Sequence, residues 1–240
     1  MPTLLLVRHG RTAANSSGVL AGRTPGVELD EHGRSQASAL ADRLAPLPIT
    51  RIVTSPLERT VATAAAVAAS GGTRKVPRPQ PVHDARLLEC DYGDWTGRAI
   101  RGLVKEPVWR TVQSHPSAAV FPGGEGLAQV QHRAVSAVRD HDHEVAAEHG
   151  EHAVWMAVAH GDVIKAILAD ALGLHLDGFQ RIVVDPCSVS VVRYTPLRPF
   201  VLCSNGTGTG LELLAAAPRR RRGAPSSDAV VGGGDGSGPG

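Results

Sequence analysis

The stretch T-L-L-L-V-R-H-G, from Thr3 to Gly10, decides how the rest of the chain is read. Thr3 to Val7 is a short apolar run without the polar alternation of a half-solvated strand. That is the pattern of a strand buried on both faces, as in a parallel sheet. It ends in Arg8, His9 and Gly10. Two further segments repeat the arrangement. Ile49 to Thr54 reads as a second strand and runs into S-P-L-E-R, Ser55 to Arg59, where Ser55 is the expected helix N-cap and Pro56 a first-turn residue. Ala153 to Ala159 reads as a third strand and ends in His160-Gly161.

Helical patterns lie between these strands. Ala37, Leu40, Ala41 and Leu44 recur at helical spacing, predicting a helix over 33–45 that Pro46 and Pro48 stop. Leu57, Val61, Ala64, Ala65 and Ala68 give a second apolar face, ended by Gly71-Gly72. Leu127, Val130, Ala134, Ala137, Val138 and Val145 mark a long helix. Val163, Ile164, Ile167, Leu168, Ala171 and Leu172 mark another, with Gly173 as its stop. Val76 to Val82 reads as extended, and residues 83–125 as a loop-rich cap over one end of the sheet. Ser188 to Tyr194 and Phe200 to Cys203 read as an edge hairpin around Pro196 and Pro199. The alternation predicts an α/β three-layer sandwich, a mostly parallel central sheet with helices on both faces. One domain is expected over 1–217, followed by a disordered Arg/Gly/Ser/Pro tail over 218–240.

The bulk numbers narrow the function. A net charge of +2, with four arginines clustered at Arg219 to Arg222, gives no case for a nucleic-acid or membrane partner. Three scattered cysteines fit a reducing compartment without a disulfide framework. There is no leader pattern and no apolar run near the ~20 residues of a membrane span. The expectation is a cytoplasmic enzyme, with homo-oligomer formation left open.

In open α/β sheets, ligands bind beyond the carboxyl ends of the strands. If the three runs are parallel, Arg8, His9, Arg59 and His160 meet at one edge. This set suits phosphoryl chemistry. A phosphoryl group carries about two negative charges near neutral pH. The arginine fork matches its oxygens and keeps its charge. One neutral imidazole can attack phosphorus, and the other can donate to an equatorial oxygen. Backbone N–H groups at Gly10, and at the helix that follows Gly161 near Asp162, add donors. Catalysis of this kind is mostly positioning and charge stabilisation. The arginines supply the positive charge, so neither a metal nor a cofactor is required.

The motifs resemble those of the histidine phosphatase superfamily, which includes cofactor-dependent phosphoglycerate mutases. The similar stretches are L-L-L-V-R-H-G-R-T-A-A-N at Leu4 to Asn15, L-D-E-H-G-R-S-Q-A at Leu29 to Ala37, S-P-L-E-R-T at Ser55 to Thr60, L-L-E-C-D-Y-G-D-W-T-G at Leu87 to Gly97, P-G-G-E at Pro122 to Glu125 and A-H-G at Ala159 to Gly161. In detail the chain is most similar to an actinobacterial-type branch labelled as phosphomutases. The resemblance implies roles position by position. His9 matches the histidine that becomes phosphorylated, and Arg8, Arg59 and His160 match the phosphate pocket. Asn15 matches an asparagine that contacts phosphate oxygens, with helix capping as the rival reading. Glu89 matches the proton donor that later activates water. Gly126 stands where the family often has Ser, so Glu125 is given only a helix-start role. Arg23 is a candidate contact for a substrate phosphate or carboxylate, against the plainer reading of a loop arginine.

Other residues read as structural. Trp95, Trp109 and Trp155 are packing residues, and Cys90 is a small apolar filler. His141 and His143, two apart on a helix, do not share a face and read as solvated. The arginine tail lacks the aromatics of a stacking site. Hydrolysis of a small-molecule phosphomonoester is the favoured reaction. A mutase, the alternative, needs a closed basic pocket, for which Arg98, Arg101, Lys105 and Arg110 are the available cations. The leaving group is chosen by the loops at 18–29 and 83–125, whose preference is not legible.

Overall fold

Strands and helices alternate from the first residues onward. The computed structural model describes residues 1–71 and 77–208. Its strands are β1 (Thr3–Arg8), β2 (Ile49–Thr54), β3 (Val82–His83), β4 (Val154–Ala159), β5 (Val189–Tyr194) and β6 (Pro199–Gly206). Its helices are α1 (Ala13–Ser17), α2 (Glu31–Leu44), α3 (Glu58–Ala69), α4 (Ile100–Leu103), α5 (Pro107–Ser114), α6 (Leu127–His149) and α7 (Gly161–Ala171). The strands form one sheet in the order β3-β2-β4-β1-β5-β6. β1, β2 and β3 run parallel to β4's direction, and β5 is antiparallel to both β1 and β6. The expected mostly parallel sheet and edge hairpin are both present.

The unbroken apolar run of β1 is explained by burial on both sides. Leu4 and Leu6 pack with Trp155 and Ala157 under Val130 and Ala134 of α6 and Ile164 and Ile167 of α7. Leu5 and Val7 pack on the opposite face with Ile52 and Met156, against Leu40 and Leu44 of α2 and Ala64 and Val67 of α3. Leu4, Leu5 and Leu6 are each wholly buried, and each such side chain contributes about 1.5–3 kcal/mol. A charge at any of them would have no wet face to turn to.

Local chemistry sets the helix ends. α2 begins at Glu31, two residues earlier than its apolar spacing predicts, because the Asp30 carboxylate caps it by accepting the Gly33 N–H at 2.7 Å. α7 stops at Gly173, whose φ of +63° allows its N–H to bond the Asp170 carbonyl. α3 departs from expectation. Ser55 does not cap it: the helix starts at Glu58 after an uncapped Leu57, and the Ser55 hydroxyl is bonded elsewhere. His141 also departs from expectation. Its Nε2 lies 3.0 Å from the Asp84 carboxylate and its ring sits against Trp155, so it is half-buried, whereas His143 is exposed.

The cap carries α4, α5 and several single 3₁₀ turns, held by the Tyr92, Trp95 and Phe121 rings. Of the stretch predicted as extended, Val82 pairs with β2, and Val76 lies outside the described residues, as do Gly72, the end of the proposed domain and the arginine tail. Among the described residues no helix is long and apolar enough to cross a membrane.

Candidate active site

The sheet register assembles the site. Arg8 is level with Ala159, and Thr54 with Val158, so the residues that follow each strand emerge side by side. His9 and His160 therefore lie with ring centroids 5.2 Å apart. Arg59 reaches them from the first turn of α3, placing its Nε 3.3 Å from His9 Nε2. All four residues marked in the sequence come together.

The protonation state of His9 follows from its contacts. Nδ1 lies 2.7 Å from the Gly10 carbonyl, which can only accept. Nδ1 therefore carries the hydrogen, and Nε2 keeps its lone pair. Burial, and then the charges of Arg59 and Arg8, push the His9 pKa down to about 3. The imidazole is neutral and can act as a nucleophile through Nε2.

His160 is wholly buried and held far below the usual histidine range by burial and by His9, Arg59 and Arg8. Its Nε2 is 2.8 Å from the Ser55 hydroxyl. A neutral imidazole has one N–H. If Ser55 donates to Nε2, that N–H sits on Nδ1, which has no partner within the protein. Arg8 Nε and Arg59 NH1 are likewise buried without a partner. Other donors of these arginines are engaged: Arg8 donates to the Val184 carbonyl at 2.6 Å, and Arg59 to the Gly22 carbonyl at 2.7 Å. These bonds fix the guanidinium planes and leave three buried donor atoms around the two imidazoles. Buried donors of this kind are costly unless a ligand meets them.

Gly10 plays a different part from the one expected. Its N–H donates to Thr63 Oγ1 at 3.1 Å, so it is not a free donor to phosphate. A Cβ here would stand 2.6 Å from the Gly33 carbonyl oxygen, and one at Gly33 would stand 1.9 Å from that of Arg11. The pair lets the loop after β1 lie against the start of α2. Gly161 lines the cavity at the start of α7, whose first N–H groups have no helical carbonyl to meet. Asn15 combines both readings: its Oδ1 accepts from the Thr12 N–H and hydroxyl as a capping box, and the residue borders the cavity.

Glu89 enters from the cap. It is buried, and burial together with the charge of Asp162 raises its pKa to about 7, against the opposing pull of the Cys90 N–H and of Arg59 and Arg8. The Cys90 N–H holds Oε1 at 2.9 Å. Tyr92 donates to Asp162 Oδ2 at 2.7 Å and fixes that neighbouring carboxylate. Cys90 itself is buried, with its thiol pushed up by burial, as befits a filler.

Arg23 is placed away from this cavity. It donates to the Glu89 carbonyl at 2.8 Å and to Glu125 Oε2 at 3.0 Å. Arg133 joins the same Glu125 at 2.7 Å and donates to the carbonyls of Arg86 and Glu89. Arg23 thus braces the backbone at Glu89 through a fixed ion-pair network rather than lining the cavity, and Glu125 is the hub of that network rather than a helix-start residue. Ser55, Tyr92, Asp162 and Thr63 have no linear signal for these roles, since their partners are distant in sequence.

The cavity has a volume of about 860 Å³ and opens from His9, Arg8 and Arg59 past Glu89 and Tyr92 to Lys165. None of Arg98, Arg101, Lys105 and Arg110 lines it; Arg98 pairs with Glu106 at 2.6 Å. Among the described residues no group of three or more His, Cys, Asp or Glu is placed to hold a metal ion.

Residues 4–207 match the Histidine phosphatase superfamily (branch 1). Phosphoserine phosphatase 1 of Hydrogenobacter thermophilus is 30% identical over 209 residues, spanning 86% of this chain and 93% of that protein. The Yersinia enterocolitica protein named "Probable phosphoglycerate mutase GpmB" is 32% identical over 196 residues, 81% of this chain and 86% of that protein. The solved structure of a mycobacterial glucosyl-3-phosphoglycerate phosphatase in complex with VO3 superposes with a TM-score of 0.73 at 28% identity, covering 85% of this chain and 98% of that one. With the paired histidines, the paired arginines and the buried glutamate in place, the chain belongs to branch 1 of the histidine phosphatase superfamily.

Proposed function

We propose that the protein hydrolyses small-molecule phosphomonoesters in two steps through a phosphohistidine on His9. Arg8, Arg59 and His160 hold the phosphoryl oxygens. The His9 Nε2 lone pair forms the N–P bond as the P–O bond to the leaving group breaks, and Glu89 gives its proton to the departing oxygen. The Glu89 carboxylate then takes a proton from water. That water forms a new P–O bond, the N–P bond breaks, and inorganic phosphate leaves with His9 neutral again. The arginines supply the charge stabilisation, so the cycle is metal-independent. The carrying observation is the pairing of a neutral His9, with its lone pair on Nε2, and a buried carboxyl raised to about 7 in the same cavity.

Hydrolysis is favoured over mutase chemistry because Arg98, Arg101, Lys105 and Arg110, the cap cations available to close a mutase pocket, do not line the cavity, whose cations beyond Arg8 and Arg59 are Arg11 and Lys165. We take the catalytic unit to be one domain acting on small molecules in the cytoplasm, with no nucleic-acid substrate. The test is phosphate release from a panel of phosphomonoesters in chelator-treated buffer from pH 4 to 8, for wild type and His9→Ala. Loss of release in the variant supports the reading. Release that survives in His9→Ala sinks it, and release from no ester moves attention to phosphoryl transfer with a bisphosphate primer.

A further inference from the structure

We propose that Arg23 and Arg133, anchored on Glu125, are positioning residues for the proton donor: they hold the one peptide unit that follows Glu89 and hydrogen-bonds its carboxyl group. The proposal rests on the reading of Glu89 as the acid and specifies what keeps that acid in place.

The peptide between Glu89 and Cys90 is bonded at both of its polar ends. Its carbonyl accepts from Arg23 Nε at 2.8 Å and from Arg133 NH2 at 3.2 Å. Its N–H points the opposite way across the planar unit and donates to Glu89 Oε1 at 2.9 Å. The plane cannot turn without breaking the bonds on both sides. Hydrogen bonds in series also polarise one another, so a peptide oxygen held by two guanidinium groups makes the N–H behind it a better donor. The arginines thus reach the carboxyl group through one rigid unit, without touching it.

The anchor is built by the P-G-G-E stretch. Glu125 accepts from Arg133 Nε at 2.7 Å and from Arg23 NH2 at 3.0 Å. Its own N–H donates to the Asp91 carbonyl at 2.8 Å, and the Asp91 N–H reaches Glu125 Oε2 at 3.3 Å. The glycine before it permits this approach, since a Cβ at Gly124 would stand 2.3 Å from the Asp91 carbonyl oxygen. The charges balance. Arg23 and Arg133 face Glu125 and Asp91, whose Oδ2 lies 3.8 Å from Arg23 NH1. A cluster without net charge adds little field at Glu89, so what it contributes is direction. The side chain of Arg23 is 33% exposed, against 17% for Arg133 and 15% for Glu125. Removing Arg23 is therefore the change least dangerous to the fold, because it leaves the more buried pair intact.

The test compares glycerol 3-phosphate, whose alkoxide needs a proton to leave, with 4-nitrophenyl phosphate, whose phenolate does not. Arg23→Met should lower kcat/KM on the alkyl ester about tenfold, and Arg23→Met with Arg133→Met about a hundredfold. The loss on the aryl ester should be several times smaller in each case. The alkaline limb should move to higher pH. Burial and the charge of Asp162 raise the Glu89 pKa to about 7 against the pull of the Cys90 N–H, and slackening that bond releases the pull. In a Glu89→Gln background Arg23→Met should cost less than about threefold more, because the proton it positions is already gone. Urea midpoints confirm that each variant is folded, and the single Arg23→Met decides the matter if the double variant is not. Equal losses on the two esters, an unmoved limb, or a full additional loss in the Glu89→Gln background overturns the proposal. If Glu89→Gln itself loses equally on both esters, the acid reading fails and takes the proposal with it. An alkyl-selective loss in Glu89→Gln that Arg23→Met does not share refutes the positioning role alone.

Discussion

Glu89→Gln removes one proton from the site and little else. The amide keeps the shape of the side chain and an oxygen for the Cys90 N–H. Glu89 titrates at about 7 rather than 4.5 because it is buried and faces the charge of Asp162. At pH 7 about half of the molecules hold the acid form, where an unshifted glutamate would offer roughly 1 in 300. An alkoxide leaves poorly without a proton, and general acid catalysis contributes about 10²–10⁴-fold. The variant should therefore lose about 10²–10³-fold in kcat/KM on an alkyl phosphomonoester. The loss on 4-nitrophenyl phosphate should stay under about tenfold, because its phenolate departs without help. The pH dependence has a definite sign. The first step needs the protonated carboxyl, so wild-type kcat/KM should fall as pH rises through about 7, and this limb should vanish in Glu89→Gln. The assay is steady-state hydrolysis of both esters from pH 5 to 9. An equal loss on the two substrates, or an alkaline limb that persists in the variant, would refute the assignment of Glu89 as the acid.

Ser55→Ala deprives the buried His160 of its Nε2 partner and frees its tautomer; kcat/KM should fall about tenfold with the alkaline limb unmoved. The ¹⁵N shifts of His160 report the tautomer, and an unchanged shift together with an unchanged rate contradicts the role. Asp142 is buried against Trp155 Nε1 at 3.0 Å, and burial raises its pKa from 3.8 to about 6. The folded state thus binds more protons than the unfolded chain between these values, and this residue's contribution to stability falls as pH rises through that window. Asp142→Asn keeps an acceptor for Trp155 and should gain about 1–2 kcal/mol at pH 7.5, after allowance for solvent screening, with little gain at pH 4. Urea midpoints at the two pH values decide it, and an equal gain at both would rule out the titration. Gly33→Ala drives a Cβ into the Arg11 carbonyl and should cost about 1–3 kcal/mol and disturb the loop after His9. Gly102→Ala, with open space around its Cβ, is the control and should be neutral or slightly stabilising by the same denaturation measurement.

The sequence by itself determined the parts that depend on neighbours in the chain. Burial on both faces shows as an unbroken apolar run, so β1, β2 and β4 were legible, and helical spacing marked α2, α3, α6 and α7. A residue that directly follows such a strand is carried to the ligand edge of the sheet, and so Arg8, His9 and His160 were legible as partners. Arg59 was legible from its place on the first turn after β2. Glu89 was legible only by resemblance, because nothing in its own neighbourhood announces burial or a raised pKa. What the tertiary structure alone decided are pairings between distant positions. Ser55 looked like a helix cap because Ser-Pro before a helical pattern favours one, yet the register of β2 on β4 puts it beside His160, a stronger claim on its hydroxyl. Tyr92 with Asp162, Arg23 with Glu125 and Lys165 with Gln180 likewise join segments far apart in the chain. Propensity and periodicity act over a few residues, whereas electrostatics and hydrogen bonding act on whatever the fold brings within a few ångströms. The gathering of His9, His160 and their arginines could thus be read along the chain, and the raised pKa of Glu89 and the far side of the cavity could not.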